Sequence, residues 1–257
     1  MDQPGARGRR AVSGRRDGMA QACGVGTMAA SARGQARMTA RGDTGAVRLA
    51  RLIWQPGGQM DEGWWHAFEM TPWRDAYRRH PACRASIDAQ LIVRRGWPAV
   101  REARGPHAVP PCSEAAKARL RRLPTLRRVA VAYGLRTMGC PDYLLLGAYR
   151  RALSPWLDAW QCDRLLLACA EWPARATCPP DRIVAAAMRR TGRCLDAVAM
   201  PDAADLATIV TAARILLPPA HDAAEAGGVI ADGAADDDMW ARLAALERML
   251  CMSSKSH

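Results

Sequence analysis

The stretch TLRRVAVAYGLRTMGCPDYLLLGAYRRAL, residues 125–153, decides the fold. Leu126, Val129, Tyr133 and either Leu135 or Met138 recur at helical intervals, and Gly139 stands where a helix would end. Pro141-Asp142 then opens a second helical run in which Leu145, Ala148 and Tyr149 share a face. Neither half alternates as a half-buried strand does.

The same pattern extends in both directions. Upstream, Ser113 opens SEAAKARLRRL, with Glu114 near the positive helix end, and Pro124 interrupts. Farther back, Thr71-Pro72 begins TPWRDAYRRH as cap and first helical residue, placing Trp73 and Tyr77 four apart on one face. Trp64, Trp65 and Phe68 precede it, so an aromatic lid over the next helices is expected, with a partner-binding anchor as the sharper alternative. Cys83, Ile87 and Leu91 give a helix over roughly 82–95, closed by Gly96-Trp97-Pro98. Downstream, Ser154-Pro155 reads as a cap-and-proline start for Trp156, Trp160 and Leu167. Ile183, Ala187, Met188, Thr191, Leu195 and Val198 follow, then Leu206, Ile209, Val210, Ala213, Leu216 and Leu217, stopped by Pro218-Pro219. The reading is an all-α, compact multi-helix domain of short antiparallel helices.

Two ends flank that body. Residues 1–59 read as a disordered Arg/Gly/Ala-rich extension, too poor in large apolar side chains to offset the entropy of ordering. It is either a basic arm or a start set too far upstream of Met19, Met28, Met38 or Met60. The body is placed at 60–219, with a minor boundary in GPHAVPPC at 105–112. Residues 220–257 read as an acidic linker and an amphipathic helix after Asp236–Asp238. Trp240, Leu243, Leu246 (or Glu247) and Leu250 lie three and four apart there. That helix either folds back on the domain or docks in a partner's groove.

The 257 residues carry a net charge of +12, a value that suggests nucleic acid or anionic membrane. More than half of the excess sits in residues 1–51, which hold 10 Arg and 3 Asp. Only Lys117 and Lys255 are lysines, a bias that genome composition explains better than phosphate binding does. The nine Cys are an odd, scattered set without a CxxC pair, which reads as buried apolar residues in a reducing cytoplasm. No apolar run nears the length of about 18 that spans a bilayer.

The five His form neither HExxH nor a zinc spacing, and no Walker loop or GxSxG elbow occurs. GVGTMA at 24–29 lacks a preceding strand. The reading is no enzyme, no cofactor, no metal and no small-molecule substrate. A helix-turn-helix reader is the main rival, since residues 126–153 hold two helices about a Gly turn. Its second helix carries Tyr143, Leu144, Leu145, Leu146 and Tyr149, which suits a core rather than a wet groove. A basic helical nucleic-acid-binding or regulatory protein therefore stands as the alternative function.

From about residue 63 to 219 the layout resembles the SctK/YscK/OrgA family, particularly its Hrp-type members, which are sorting-platform proteins of bacterial type III secretion systems. Three stretches carry the likeness: FEMTPWRDAYRRHP, the central TLRRVAVAYGLRTMGCPDYLLLGAYRRAL, and the close RILLPP. The resemblance implies an all-α, non-enzymatic cytoplasmic adaptor at the cytoplasmic face of the inner membrane. Such an adaptor links the membrane-ring protein's cytoplasmic domain (the SctD type) to the pod protein (the SctQ type). It implies no catalytic residues. The Arg-rich start and the tail after Pro219 depart from the pattern. Trp64, Trp65, Trp73, Trp240, Leu243, Leu246 and Leu250 are the candidate partner-binding residues, because Trp and apolar helix faces anchor interfaces.

Overall fold

The computed structural model describes residues 44–97, 111–168, 172–220 and 236–251, and every regular element among them is a helix. In chain order these are α1 (Thr44–Trp54), α2 (Gly63–Ala67), α3 (Thr71–Arg79), α4 (Arg84–Arg95), α5 (Glu114–Leu120) and α6 (Leu126–Met138). There follow α7 (Asp142–Leu145), α8 (Gly147–Leu153), α9 (Ala159–Leu167), α10 (Ile183–Asp196), α11 (Ala204–Arg214) and α12 (Asp236–Cys251). Short 3-10 turns occupy Pro56–Gly58, Pro81–Cys83 and Pro180–Arg182. The all-α reading holds.

Helix α6 is the centre. Residues 129–135 are buried without a break, so the helix is enclosed on all sides. Along one side runs α10. The two backbones approach so closely at Gly134 that a Cβ there would lie 2.0 Å from the Ala187 carbonyl oxygen. Only a residue without a side chain fits. One helical turn away, the buried Thr191 hydroxyl donates to Ala130 O at 2.6 Å, stitching the pair. Helix α12 packs on α6 and α9, and α1 packs on α4, α5 and α11.

Helix ends are closed by chemistry that the sequence announces in part. Gly96 and Gly139 take the left-handed conformation, with φ of 69° and 64°, that ends α4 and α6. Ser113 Oγ accepts from Ala116 N at the start of α5. Other ends are closed from a distance. Arg95 donates to Leu52 O and Ile53 O, the last carbonyls of α1. Arg214 donates to Leu195 O and pairs with Asp196 at the end of α10. Gln161 Nε2 donates to Leu250 O and closes α12.

Several expectations are corrected. The body does not begin at Met60: α1 precedes it and sends Leu49, Leu52 and Ile53 into the core. Small and basic residues in TGAVRLARLIW resemble the tail before it, which hid the apolar stripe. Residues 44–59 are therefore part of the helical body, and Met60 is itself buried. Thr71 is the first helical residue of α3 rather than its cap. DYLLLGAYRRAL is two helices, because Leu146 is extended (ψ 133°) between them. Ser154-Pro155 turns the chain, whereas α9 starts from a capping box, Asp158 with Gln161. The Arg-rich stretch through residue 43, most of the 105–112 boundary and the acidic linker 221–235 lie outside the described residues. The described helices on both sides of residues 105–112 share one core.

Candidate functional site

TLRRVAVAY and RILLPP meet at one joint with the segment just before FEMTPWRDAYRRHP, whose first residue, Phe68, stacks on Trp64. After α11 the chain runs through Ile215, Leu216 and Leu217 with its carbonyls free of helix partners. Asp61 N–H donates to Ile215 O at 2.8 Å. Arg127, at the start of α6, donates through Nε to Leu216 O and through a terminal nitrogen to Gln59 O, each at 2.9 Å. Trp64 Nε1 donates to Leu217 O at 2.8 Å. The segment around the start of α2, the first turn of α6 and the segment after α11 are thus held by four hydrogen bonds. Gly63 belongs to the same joint: a Cβ there would lie 2.7 Å from Pro219 Cδ.

Beside this joint lies an open groove of about 1750 Å³. Its walls come from the end of α1 and the Pro56–Gly58 turn, from α3 and α4, from the first turns of α10 and from Pro218-Pro219. Drug-sized ligands occupy about 300–1,000 Å³, so this space is on the scale of a peptide segment. Half-buried Trp54, Trp156 and Val184 give it apolar wall, and Arg51, Arg84 and Arg127 give it charge.

Asp88 anchors the floor. It is only 3 % exposed, accepts from Gly57 N–H at 2.9 Å and accepts from the Tyr77 hydroxyl at 3.2 Å. Burial pushes its carboxyl above the ordinary value, and those two hydrogen bonds oppose the rise. Burial, then the Asp88 charge, pushes the Tyr77 phenol up to about 12. Asp61 is also raised by burial, against the pull of Gly63 N–H and Arg127. Burial lowers Arg95 to about 10, against the nearby Asp88 charge. Asp88, Asp61 and Arg95 each hold backbone in place, at Gly57, at Gly63 and at Leu52 and Ile53. Gly57 permits the arrangement, since a Cβ there would meet Tyr77 Cε2 at 2.7 Å.

The candidate partner-binding residues are divided by the structure. Trp73 stands out from α3, 55 % exposed. Trp64 is half-buried, bonded to Leu217 and stacked on Phe68 with ring centres 5.1 Å apart. Trp65 is buried against Tyr77, 5.5 Å away and edge-on. Trp240, Leu243, Leu246 and Leu250 are all buried against this chain's own helices, so α12 folds back onto the domain. Arg119 lies 5.2 Å from the Trp240 ring centre, and Glu247 accepts from the Thr125 hydroxyl and pairs with Arg122. The aromatic lid is therefore real for Trp65 and Tyr77, but Trp73 has left it. Of the residues proposed for a DNA-reading helix, Tyr143, Leu144 and Tyr149 are buried, and Leu145 and Leu146 are exposed. The Tyr143 hydroxyl accepts from Thr177 N and Cys178 N, and Tyr149 donates to Cys178 O. That tyrosine pair ties down a loop.

Gly57, Asp88 and Arg84 were not singled out from sequence, and Arg127, read there as solvated or partner-facing, instead bonds Leu216 O and Gln59 O. The Pro-Gly-Gly punctuation between two apolar runs was the one available signal.

A family profile described as a type III secretion system subunit matches residues 47–219 of the 257. The chain belongs to that family. No curated protein and no solved structure matches the chain. The type III secretion subunit match takes in the joint and the full lining of the groove, from Arg51 to Pro219, and leaves α12 outside. Membership in this type III secretion family implies protein partners within the apparatus. Among the described residues, no helix is long and apolar enough to cross a membrane.

Proposed function

We propose that the chain is the non-enzymatic, cytoplasmic adaptor of a type III secretion sorting platform, of the SctK/YscK/OrgA kind. It links the cytoplasmic domain of the membrane-ring protein to the pod protein at the inner face of the membrane. The joint carries this reading. Two of the stretches whose likeness suggested that family, the central one and the close RILLPP, interlock within the matched region with the segment just before the third. A conformation built from that combination is what such a protein would present to its partners. Exposed Trp73, flanked by Arg74 and Glu62 in an ion pair, supports a docking face on α3.

The test uses tagged full-length chain in its native cells, purified at mild salt, with co-purifying proteins identified by mass spectrometry. The membrane-ring and pod subunits should come with it. Trp73→Ala should cut recovery of one of them by roughly tenfold, the effect of losing about 1–2 kcal/mol at an interface anchor. Its melting temperature should not change. Recovery of nucleic acid without either subunit would contradict the adaptor reading, and a steep fall of that binding with salt would identify its cause.

A further inference from the structure

We propose that the groove beside the joint docks an acidic, apolar-anchored segment of a protein partner. The proposal rests on the protein-docking reading above and adds where the partner sits and what chemistry it carries. The groove's volume, about 1750 Å³, exceeds what a small ligand fills. Its apolar walls at Trp54, Trp156 and Val184 suit large side chains.

Charge selects the occupant. Arg51 is exposed at the rim, and its side chain has no hydrogen bond or ion pair with any described residue. Arg84 donates to Tyr77 O and Arg78 O, at 3.0 and 3.2 Å, and its guanidinium lies over the Tyr77 ring. Arg127 donates to Leu216 O and Gln59 O. Among the described residues, none of these three guanidinium groups has a carboxylate within ion-pair distance. The groove's own carboxylates are mostly engaged. Glu62 is taken by Arg74 and Arg78, Asp88 by Gly57 and Tyr77, and Asp61 by Gly63. Asp181 remains exposed. A carboxylate-bearing segment would complete the guanidinium groups, for which planar, paired hydrogen bonds are the natural geometry. A nucleic-acid backbone fits less well, since four carboxylates are set among the arginines.

The test places a photo-crosslinking residue in the full-length chain in native cells. One variant carries it at Ala85, exposed on α4 and lining the groove; a control carries it at Val93, exposed on α4 and outside the lining. Irradiation at position 85 should capture a protein segment of net negative charge with large apolar side chains, absent from the position-93 control. Arg51→Glu should reduce that product several-fold, and Arg51→Lys should restore most of it. The Arg51 side chain has no hydrogen bond or ion pair with a described residue, so Arg51→Lys should leave the melting temperature unchanged and Arg51→Glu, an anion in the last turn of α1, should lower it only slightly. The proposal is overturned by equal products at 85 and 93, by a neutral or basic captured segment, by nucleic acid, by a second copy of this chain, or by indifference to Arg51→Glu. An acidic segment from a protein outside the secretion apparatus would keep the groove assignment and remove the adaptor reading. Secretion subunits recovered through Trp73, with nothing captured at Ala85, would do the reverse.

Discussion

Gly134 sets how closely α6 and α10 approach, and through them the centre of the molecule. Its absent side chain leaves room for the Ala187 carbonyl. Gly134→Ala should destabilise the fold by about 3 kcal/mol, since two backbones must separate to admit one methyl group. Urea unfolding at neutral pH measures this, and an unchanged midpoint would show that the helices give way without cost. Asp88 makes a second prediction at this scale. Its carboxyl is raised above its ordinary 3.8, chiefly by burial. The neutral form is therefore favoured in the folded state. Its stabilising contribution is fully present below pH 3.8 and is lost as pH rises through the folded-state value. Asp88→Asn keeps an oxygen for Gly57 N–H and removes the charge. The stability of this variant relative to the parent should therefore be greater at pH 7 than at pH 4. A difference independent of pH would mean that Asp88 is as well solvated folded as unfolded. The glycine caps at Gly96 and Gly139 were legible, because a left-handed end needs a residue type that sequence displays. Asp88 was not, because it stands one place after Ile87 in an ordinary helical stripe and its partners lie 11 and 31 residues away.

Among the elements, α1 and α12 are the two whose roles differ most from their appearance in sequence. α1 looks like the end of an arginine-rich tail, yet Leu49, Leu52 and Ile53 are core and Arg95 closes its C-terminus. A chain beginning at Met60 should lose more than about 5 kcal/mol, from three buried side chains at about 2 kcal/mol or more each. Equal melting of the Met60 chain would show that α1 is dispensable. α12 reads as an unattached amphipathic helix, and its apolar stripe fits a partner's groove as well as this chain's own. Periodicity tells which residues share a face, not which surface meets that face. Here α6 and α9 meet it. Trp240→Ala should accordingly lower stability by about 3–5 kcal/mol, read by thermal or urea unfolding. The same ambiguity explains Trp73 and Tyr77. Four residues apart on α3, they differ because Tyr77 reaches Asp88 and Trp65, and Trp73 lies beyond both.

For the whole molecule, helical class and most helix limits were legible from apolar spacing, prolines and glycines. The groove was not. It assembles residues near 51–67, 77–88, 127, 156, 181–189 and 218–219, which no local pattern connects. The total charge of +12 gave a poor guide as well. The proposed recognition rests instead on Arg51, Arg84 and Arg127, which line one groove without carboxylate partners among the described residues. Family membership implies protein partners within the secretion apparatus, and the adaptor role proposed above says what this chain does with them. The most direct measurement mixes purified full-length chain with the purified membrane-ring cytoplasmic domain and pod protein of the same secretion system. The mixture is resolved by size-exclusion chromatography with light scattering at physiological salt. The adaptor reading predicts one species containing all three, in which the ring domain and pod protein do not associate unless this chain is present. Separate elution of all three, with the chain instead shifting DNA in a salt-dependent way, would contradict it.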